Sequence, residues 1–528
     1  MRKILFAWAL LSLPVMMLAQ KPGTLDQDFA NGGHYSFAVT GSQAWLNFMT
    51  YRYESNASEP GWALLLGGNI YKNYVYDGIF TTEITQDGEL NQWAGKPATD
   101  LTDIQDAIYL PGGGFMAVGS ADIGGNHNAK VSQFNGPGEV NSNFGVSGSI
   151  TLDNQTGADY AHDICYNNSD PDNPFYMVVG STMNAGNMQK TAWWMLGPDG
   201  QLNNDFGANG MYVPATGGET AWLNDVVSFG NKVVAAGTID YLAYIKILDP
   251  NTMISGSLLF PSSSDPDHIY EYFSVIPEGD HFFASGYHYD MGSYKSNEFV
   301  RGVDSEPFAF NDGISDILNT GVSNVESQVN GFSTGIHSVF PAQAGPGGMK
   351  TDGPSPMVII GSIIIGSEEE TSFVAAINAD GSLADDFGTN GVYVIDLEEG
   401  NWPVDVVLSE DGSLFVGVNA VGVAHVYKLY AYFDRSGIED PNQNINKVTI
   451  YPNPVSHTAH LELSLSQAQE LEWSIYNSIG QAVLSQTESV TVSGVYQIDI
   501  DISGWASGVY HFKAFARNGE LSSKFSIH

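Results

Sequence analysis

A short stretch of sequence recurs along this chain, and the recurrence limits the possible folds more tightly than any single motif does. GPDGQLNNDFGANGMYV runs from Gly197 to Val213, and NADGSLADDFGTNGVYV runs from Asn378 to Val394. Related copies begin at Pro22 (PGTLDQDFANGG) and Pro137 (PGEVNSNFGVSG); a shortened one, QDGELNQWAG from Gln86, puts Trp93 in the aromatic slot. Two further segments alternate with this turn in a fixed order. One is an apolar run closing on small residues, as in ALLLGGN at Ala63, FMAVGS at Phe115, YMVVGS at Tyr176, VVAAGT at Val233, FFASGY at Phe282, MVIIGS at Met357 and LFVGVN at Leu414. The other leads into the turn, as in TAWWMLGPDG and SFVAAINADG.

Short β-branched or aromatic runs bounded by Gly, Asp and Pro are strand signals. We read the run closing on Gly-Ser as a strand that ends in a small-residue turn. Between Gly23 and Gly437 the pattern implies about seven units of roughly sixty residues. One small sheet cannot hide both its faces from water, so the units must pack around an axis or along one. A ring leaves only short, protected edges. The predicted fold class is therefore all-β, a seven-bladed β-propeller, with a β-solenoid as the alternative.

The turn itself reads as architecture. Gly200, Gly207 and Gly210, like Gly381, Gly388 and Gly391, suit tight passages at positive φ. Leu202, Phe206, Leu383 and Phe387 are the expected core anchors between neighbouring units. Asp385 and Asp386 look like a ligand pair, but the other copies carry Asn204-Asp205, Ser142-Asn143 and Gln27-Asp28 there. A polar pair is kept and a carboxylate pair is not. The spacing LxxDFGxxG, then an apolar strand ending in Gly-Ser, then a strand into DG, resembles the delta-60 repeat. That resemblance covers Gly23 to Gly437 and is clearest in the units beginning near Gly138, Gly200 and Gly381. It implies a propeller-like fold without a general catalytic activity. Between Ile254 and Val339 the DFG turn has degenerated, and unit boundaries are not legible there.

The chain ends separate from this body. MRKILFAWALLSLPVMMLAQ has a basic start at Arg2 and Lys3, a short apolar stretch broken by Pro14, and a small residue, Ala19, before Gln20. It reads as a signal peptide over residues 1–19. Residues 20–434 form the repeat body and residues 435–447, DRSGIEDPNQNINK in context, a linker. Residues 448–528 hold alternating runs, HLELSL, LEWSIYN, VYQIDID and VYHFKAF, that suit about seven short strands of an immunoglobulin-like β-sandwich. In that segment Tyr451-Pro452-Asn453-Pro454, the IYNSIGQAV block with Gly480, and the final block with Gly508 and Tyr510 resemble the type A C-terminal sorting domain of the type IX secretion system in Bacteroidota. The resemblance implies recognition by the secretion translocon, removal by a sorting protease, and a protein anchored at the outer-membrane surface or released. As residues alone, the two prolines hold an extended strand, Ser478, Gly480 and Gln481 make a hairpin turn, and Gly508 permits a tight turn before the last apolar strand.

Charge narrows the partners. Lys and Arg total 19 against 59 Asp and Glu, a net charge of −40. Such a surface repels phosphate backbones, so nucleic acid is not an expected partner. No segment of the mature chain is read as a membrane span. The single cysteine, Cys165 in HDICY, rules out an intrachain disulfide and is read as a small buried residue. No GxSxG, HExxH or P-loop is present, and PGGGF at Pro111 is read as a hairpin turn. DPDNPFY from Asp170, DPDH from Asp265 and the run Glu368–Glu370 are read as solvated loops, because they lack the glycine and distal glutamate of a calcium loop. No cofactor is expected; weak calcium binding by surface carboxylates is the one alternative. His162, His268, His281 and His288 are assigned to different units without ligand spacing.

The expected function is a secreted or surface-displayed propeller scaffold, not an enzyme, binding an extracellular protein or glycan. The aromatic runs DPDHIYEYF and SGYHYDMGSYKSNEF are candidates for that surface. The alternative is a polysaccharide-active hydrolase or lyase whose carboxylates converge in the propeller mouth from different units.

Overall fold

The computed structural model describes residues 22–54, 61–341, 357–430 and 445–527, apart from short loop stretches. Those stretches are 86, 96, 98, 124, 154–156, 215–219, 262–266, 279–280, 292–294, 367–368, 379, 398–399, 410–412, 452–454, 456–457, 466–468, 478–481, 491–493, 503, 506–507 and 517–518. Residues 1–19, Pro452, Asn453, Pro454 and Gly480 therefore lie outside the described residues. The chain divides into two compact units, the first ending at Phe433 and the second running from Asp434.

Antiparallel sheets build the first unit, seven of them among the described residues. Sheet I is Gln43–Glu54, Gly61–Lys72, Val75–Thr85 and Leu90–Gly95; sheet II is Asp103–Tyr109, Phe115–Ile123, Asn126–Gly136 and Ser149–Leu152, with Glu139–Val140 beside it. Sheets III and IV begin with Asp159–Asn167 and Ala221–Phe229, and sheets V and VI with His268–Glu278 and Gly331–Pro341. Sheet VII is Asn401–Leu408, Ser413–Ala420 and Val423–Tyr430, and its fourth strand is His34–Phe37, from the start of the chain. Each sheet is otherwise a simple meander. The first strand of every sheet contacts the first strands of both neighbours, and sheet VII contacts sheet I, so the cycle closes. The arrangement is propeller-like.

Second strands such as Phe175–Met183 are buried almost end to end, because both faces of each sheet are covered by neighbours. This is why their sequences are continuous apolar runs rather than alternating ones. All seven first strands carry a register shift at the same place: Leu46/Phe48, Ile104/Asp106, Ala161/Asp163, Leu223/Asp225, Tyr272/Ser274, Ile336/Ser338 and Pro403/Asp405. One residue is squeezed out of the ladder there, and the strand bends toward its partner.

The bend corrects one expectation. The glycine of VGS and AGT does not end its strand in a turn. Gly119, Gly180 and Gly237 sit inside Phe115–Ile123, Phe175–Met183 and Lys232–Ile239. A Cβ on Gly180 would stand 2.0 Å from the Tyr160 carbonyl oxygen, and one on Gly237 2.2 Å from that of Trp222. The residue is small because the bulged backbone presses on it.

The aromatic of the repeated turn fills the gap between two sheets. Phe206 packs with residues of sheets III and IV, and Phe387 with residues of sheets VI and VII. Phe144 and Phe29 occupy the same kind of place between II and III and between VII and I. Leu202 and Leu383 bridge back to Leu196 and Ile377 and are partly buried against the adjoining clusters. The turn glycines, Gly200, Gly207, Gly210, Gly381, Gly388 and Gly391, all have positive φ. Asp380 closes its turn by accepting from the Ser382 N–H at 2.9 Å, and Asp199 does the same for Gln201 at 3.1 Å.

Between sheets V and VI the turn is replaced by an α-helix, Asp312–Val329. The described residues are otherwise strands and turns, so the fold is nearly all-β with this one helix as the departure from the expectation. Ile314, Leu318, Val322, Val325 and Val329 recur at helical spacing and pack with Phe283 and Val300 on one side and Ile336 and Ile359 on the other. The Asn311 side chain caps the helix by accepting from the Ile314 N–H at 3.1 Å, and Asn330 ends it with φ 53°. The helix supplies the apolar filling that the DFG phenylalanine supplies elsewhere.

The second unit holds seven strands in two antiparallel sheets among the described residues. Ile445–Tyr451, Thr458–Leu465 and Gly494–Asp501 form one; Ala482–Val490, Gln469–Tyr476, Gly508–Ala516 and Gly519–Ile527 form the other. Leu461, Ile498 and Ile500 from the first share one core with Trp473, Ile475, Tyr510 and Phe512 from the second. Tyr451 closes its strand opposite His460. Gly508 is the first residue of its strand and pairs with Ile527, inside the ladder rather than in a turn.

Candidate functional site: the axial ring and its mouth

A bulge leaves backbone groups without ladder partners, and buried ones must be satisfied elsewhere. Here the preceding sheet satisfies them. Asn47 Nδ2 donates to the Ile104 carbonyl at 2.5 Å, His162 Nδ1 meets the Leu223 carbonyl at 2.7 Å, and Asn224 Nδ2 donates to the Tyr272 carbonyl at 2.8 Å. One residue further along, carboxylates take the N–H groups. Asp405 accepts from Met49 N at 2.5 Å, Asp106 from Ile164 N at 3.3 Å, Asp163 from Val226 N at 2.5 Å and Asp225 from Val275 N at 2.7 Å. Each bond runs from one sheet to the next, so a chain of polar contacts runs around the axis from sheet VII through sheet I to sheet V.

The four carboxyls stand at one bulge position, in sheets II, III, IV and VII; Phe48, Ser274 and Ser338 occupy it in I, V and VI. The carboxyls of Asp106 and Asp225 both influence the ionisation of Asp163. Burial pushes Asp106 and Asp405 up to about 7. Asp163 and Asp225 are raised well above the usual carboxylate range, first by burial and then by the neighbouring carboxylates. Asp405 is also repelled by Asp225, three sheets away, so these charges face one another across the ring.

That proton uptake has a measurable sign. Asp405 titrates near 7 in the folded chain and near 3.9 unfolded. Between those values the folded state binds more protons, so the stability this group contributes is present at low pH and falls as pH rises to 7. Asp405→Asn keeps an acceptor for Met49 and loses the titration. The stability of the natural chain minus that of the variant is expected to fall by up to about 4 kcal/mol between pH 4 and pH 7 in urea titrations. A difference that rises with pH would show that Asp405 is held as a carboxylate.

At the end of the ring where the first strands begin lies a cleft of about 660 Å3. Trp402, Pro403 and Val404 of sheet VII and Trp45, Leu46 and Asn47 of sheet I form one side, with Asn224, Phe273, Tyr287, His337 and Glu370 among the other lining residues. Trp45 and Trp402 lie with ring centroids 5.2 Å apart and planes at 30°. Phe273 and Tyr287 form a second pair at 5.2 Å and 31°. Next to them Glu271 is fixed by three donors: Trp222 Nε1 at 2.7 Å, Asn224 Nδ2 at 2.8 Å and Tyr287 Oη at 3.2 Å. Glu370 accepts from Thr334 Oγ1. Burial pushes His337 down to about 4, leaving it neutral.

The remaining residues singled out from the sequence fall elsewhere. His268, His281 and His288 are not in different units: all three belong to the first two strands of sheet V. His288 stacks on Tyr270 at 4.4 Å, and His281 meets Asp304 at 2.7 Å. His162 sits in the axial ring of sheet III. Cys165 is buried, and burial raises its thiol well above the usual range. Asp170 folds back on its own loop, accepting from Asp172 N and Asn173 Nδ2. Among the described residues no group of three or more His, Cys, Asp or Glu is disposed to hold a metal ion, and no helix is long and apolar enough to cross a membrane.

The axial carboxyls were missed in the sequence, although they leave a trace. DAIY, DICY, DVVS and DVVL place an Asp before an apolar run ahead of the second strand in four units. Only the bulge turns that Asp toward the axis, and a bulge has no sequence signature of its own here.

Residues 449–528 match the secretion system C-terminal sorting domain family. Among curated proteins, none matches the chain. A propeller structure of Dos1 is similar at a TM-score of 0.38 and 10% identity, over 73% of this chain and 77% of that one. PorZ, an essential bacterial surface component of the type-IX secretion system of Porphyromonas gingivalis, is similar at a TM-score of 0.30 and 12% identity, over 92% and 70%. An acylaminoacyl peptidase of Pyrococcus horikoshii is similar at 0.35 and 9%, over 80% of this chain and 58% of its own.

Proposed function

We propose that this chain is an exported binding scaffold: a seven-bladed β-propeller of the delta-60 type followed by a small β-sandwich, delivered through the type IX secretion system. In this reading residues 1–19 carry the chain across the inner membrane, and the C-terminal segment presents it to the outer-membrane translocon and the sorting protease. The body then stands at the cell surface or in the medium and binds an extracellular glycan or protein at its axial mouth. The observation that carries the export half is the sorting-domain match over residues 449–528. The binding half is supported by the cleft, whose aromatic and amide lining is typical of a ligand site. Binding is favoured over cleavage because the axial carboxyls are already engaged by backbone N–H groups of neighbouring sheets.

Deleting Val448–His528 tests the export half in a host that carries this secretion system. The truncated chain is expected to fold and accumulate in the periplasm, absent from the surface and the medium. Surface display equal to that of the full chain would remove the sorting assignment.

A further inference from the structure

We infer that the axial cleft takes a neutral glycan, with pyranose rings laid on its aromatic pairs; this rests on the axial mouth being the binding site. The shape of the aromatic lining argues for it. Trp45 with Trp402, and Phe273 with Tyr287, have ring centroids 5.2 Å apart and planes at about 30°, so the rings of each pair lie partly over one another and brace each other as apolar walls of the cleft. The apolar face of an aromatic ring matches the C–H face of a sugar ring. Trp402 keeps 36% of its surface exposed, enough to receive a ligand without rearrangement.

The polar lining points the same way. Asn47, Asn224, Glu370 and neutral His337 line the same cleft, and Glu271 is held by Tyr287 and Asn224. Carboxylates accept from hydroxyl groups; Asn224 spends both N–H groups on Glu271 and the Tyr272 carbonyl and so offers its Oδ1 as an acceptor, whereas Asn47 has a second N–H beyond the one given to Ile104, and acceptors with a donor are what a sugar's hydroxyls require. Among the described residues no Lys or Arg lines the cleft, and the chain carries a net charge of −40. Uronates, sulfated glycans and phosphates are therefore repelled, and the neutral sugars remain. The aromatics come from sheets I, V and VII, which meet only when the ring is closed, so the site belongs to the assembled body and not to any one unit.

The test is a titration of the full mature chain with neutral gluco-, manno- and galacto-oligosaccharides, an oligouronate and a trimethyl-lysine peptide, followed by tryptophan fluorescence and calorimetry. At least one neutral oligosaccharide is expected to bind, and Trp402→Ala to weaken it tenfold or more with an unchanged melting curve. Trp402→Phe, which keeps a ring, should recover part of the loss. Binding of the uronate or the cationic peptide alone, lost in Trp402→Ala, would overturn the neutral-glycan assignment while leaving the scaffold reading intact. Neutral-sugar binding that ignores Trp402→Ala would place the site elsewhere and overturn the inference. Binding of no probe, by a chain that still reaches the surface, would overturn the axial mouth as a glycan site without touching export.

Discussion

Gly180→Ala is expected to destabilise the first unit by about 3 kcal/mol or more, far beyond the usual effect of one added methyl group. The new Cβ would stand 2.0 Å from the Tyr160 carbonyl oxygen and 3.1 Å from the Ala161 Cα. Both neighbours are backbone, so no side chain can swing aside. Relief requires moving the bulged strand Asp159–Asn167 outward, and that strand carries Asp163, which holds Val226 N of the next sheet. The strain therefore spreads into the axial ring. Gly112→Ala is the control, because a Cβ there meets nothing within 4 Å. Urea midpoints of the two variants compare them directly, and equal midpoints would mean that the first strand yields freely.

The same glycine shows how far the sequence was legible. Its recurrence in FMAVGS, YMVVGS and VVAAGT announced a repeated β unit, since a repeat survives in residue types even when contacts are hidden. Its cause was not legible, because the pressure comes from a bulge about twenty residues earlier in the chain. The helix Asp312–Val329 was lost for a different reason. Ile314, Leu318, Val322 and Val325 carry a clear 3.6-residue period, but in a chain of strand repeats that stretch looked like a worn copy of the turn. The degenerate motif was a substitution of one filling for another.

At the candidate site the balance is less favourable to sequence. The aromatics of the cleft lie at Trp45, Phe273, Tyr287 and Trp402, spread over more than three hundred residues, and only closure of the ring brings them together. Their separation in the chain carries no distance information. The histidines of sheet V illustrate the opposite error. His268 and His288 look remote in sequence, yet antiparallel pairing sets their rings 4.8 Å apart. The C-terminal segment was the most legible part, because its blocks lie close together and in order.

Removing residues 22–37 is expected to cost more than about 5 kcal/mol, a large share of the stability of an ordinary domain. This segment brings the fourth strand of sheet VII, pairing His34 with Tyr427 and Phe37 with Ala424. It buries Phe29 between sheets VII and I. It also supplies Asp26, whose carboxylate meets Lys428 at 2.7 Å where both are nearly buried. Burial alone would raise Asp26, but its bonds to Lys428 and Tyr430 leave it below the usual range. The closure is sensitive to acid as well. His34 Nε2 and His425 Nδ1 lie 2.8 Å apart, and burial with the charge of His34 pushes His425 down to about 4. A depressed histidine contributes stability that is full above pH 6.5 and is lost as pH falls through 4.

Closure of the ring at this seam is what sets Trp45 of sheet I against Trp402 of sheet VII. The most direct measurement is therefore urea unfolding of the mature chain with and without residues 22–37, read by tryptophan fluorescence, with a synthetic 22–37 peptide added back. A large loss of stability, restored in part by the peptide, is the expected result. Identical midpoints and slopes for the two chains would show that the ring does not depend on this closure.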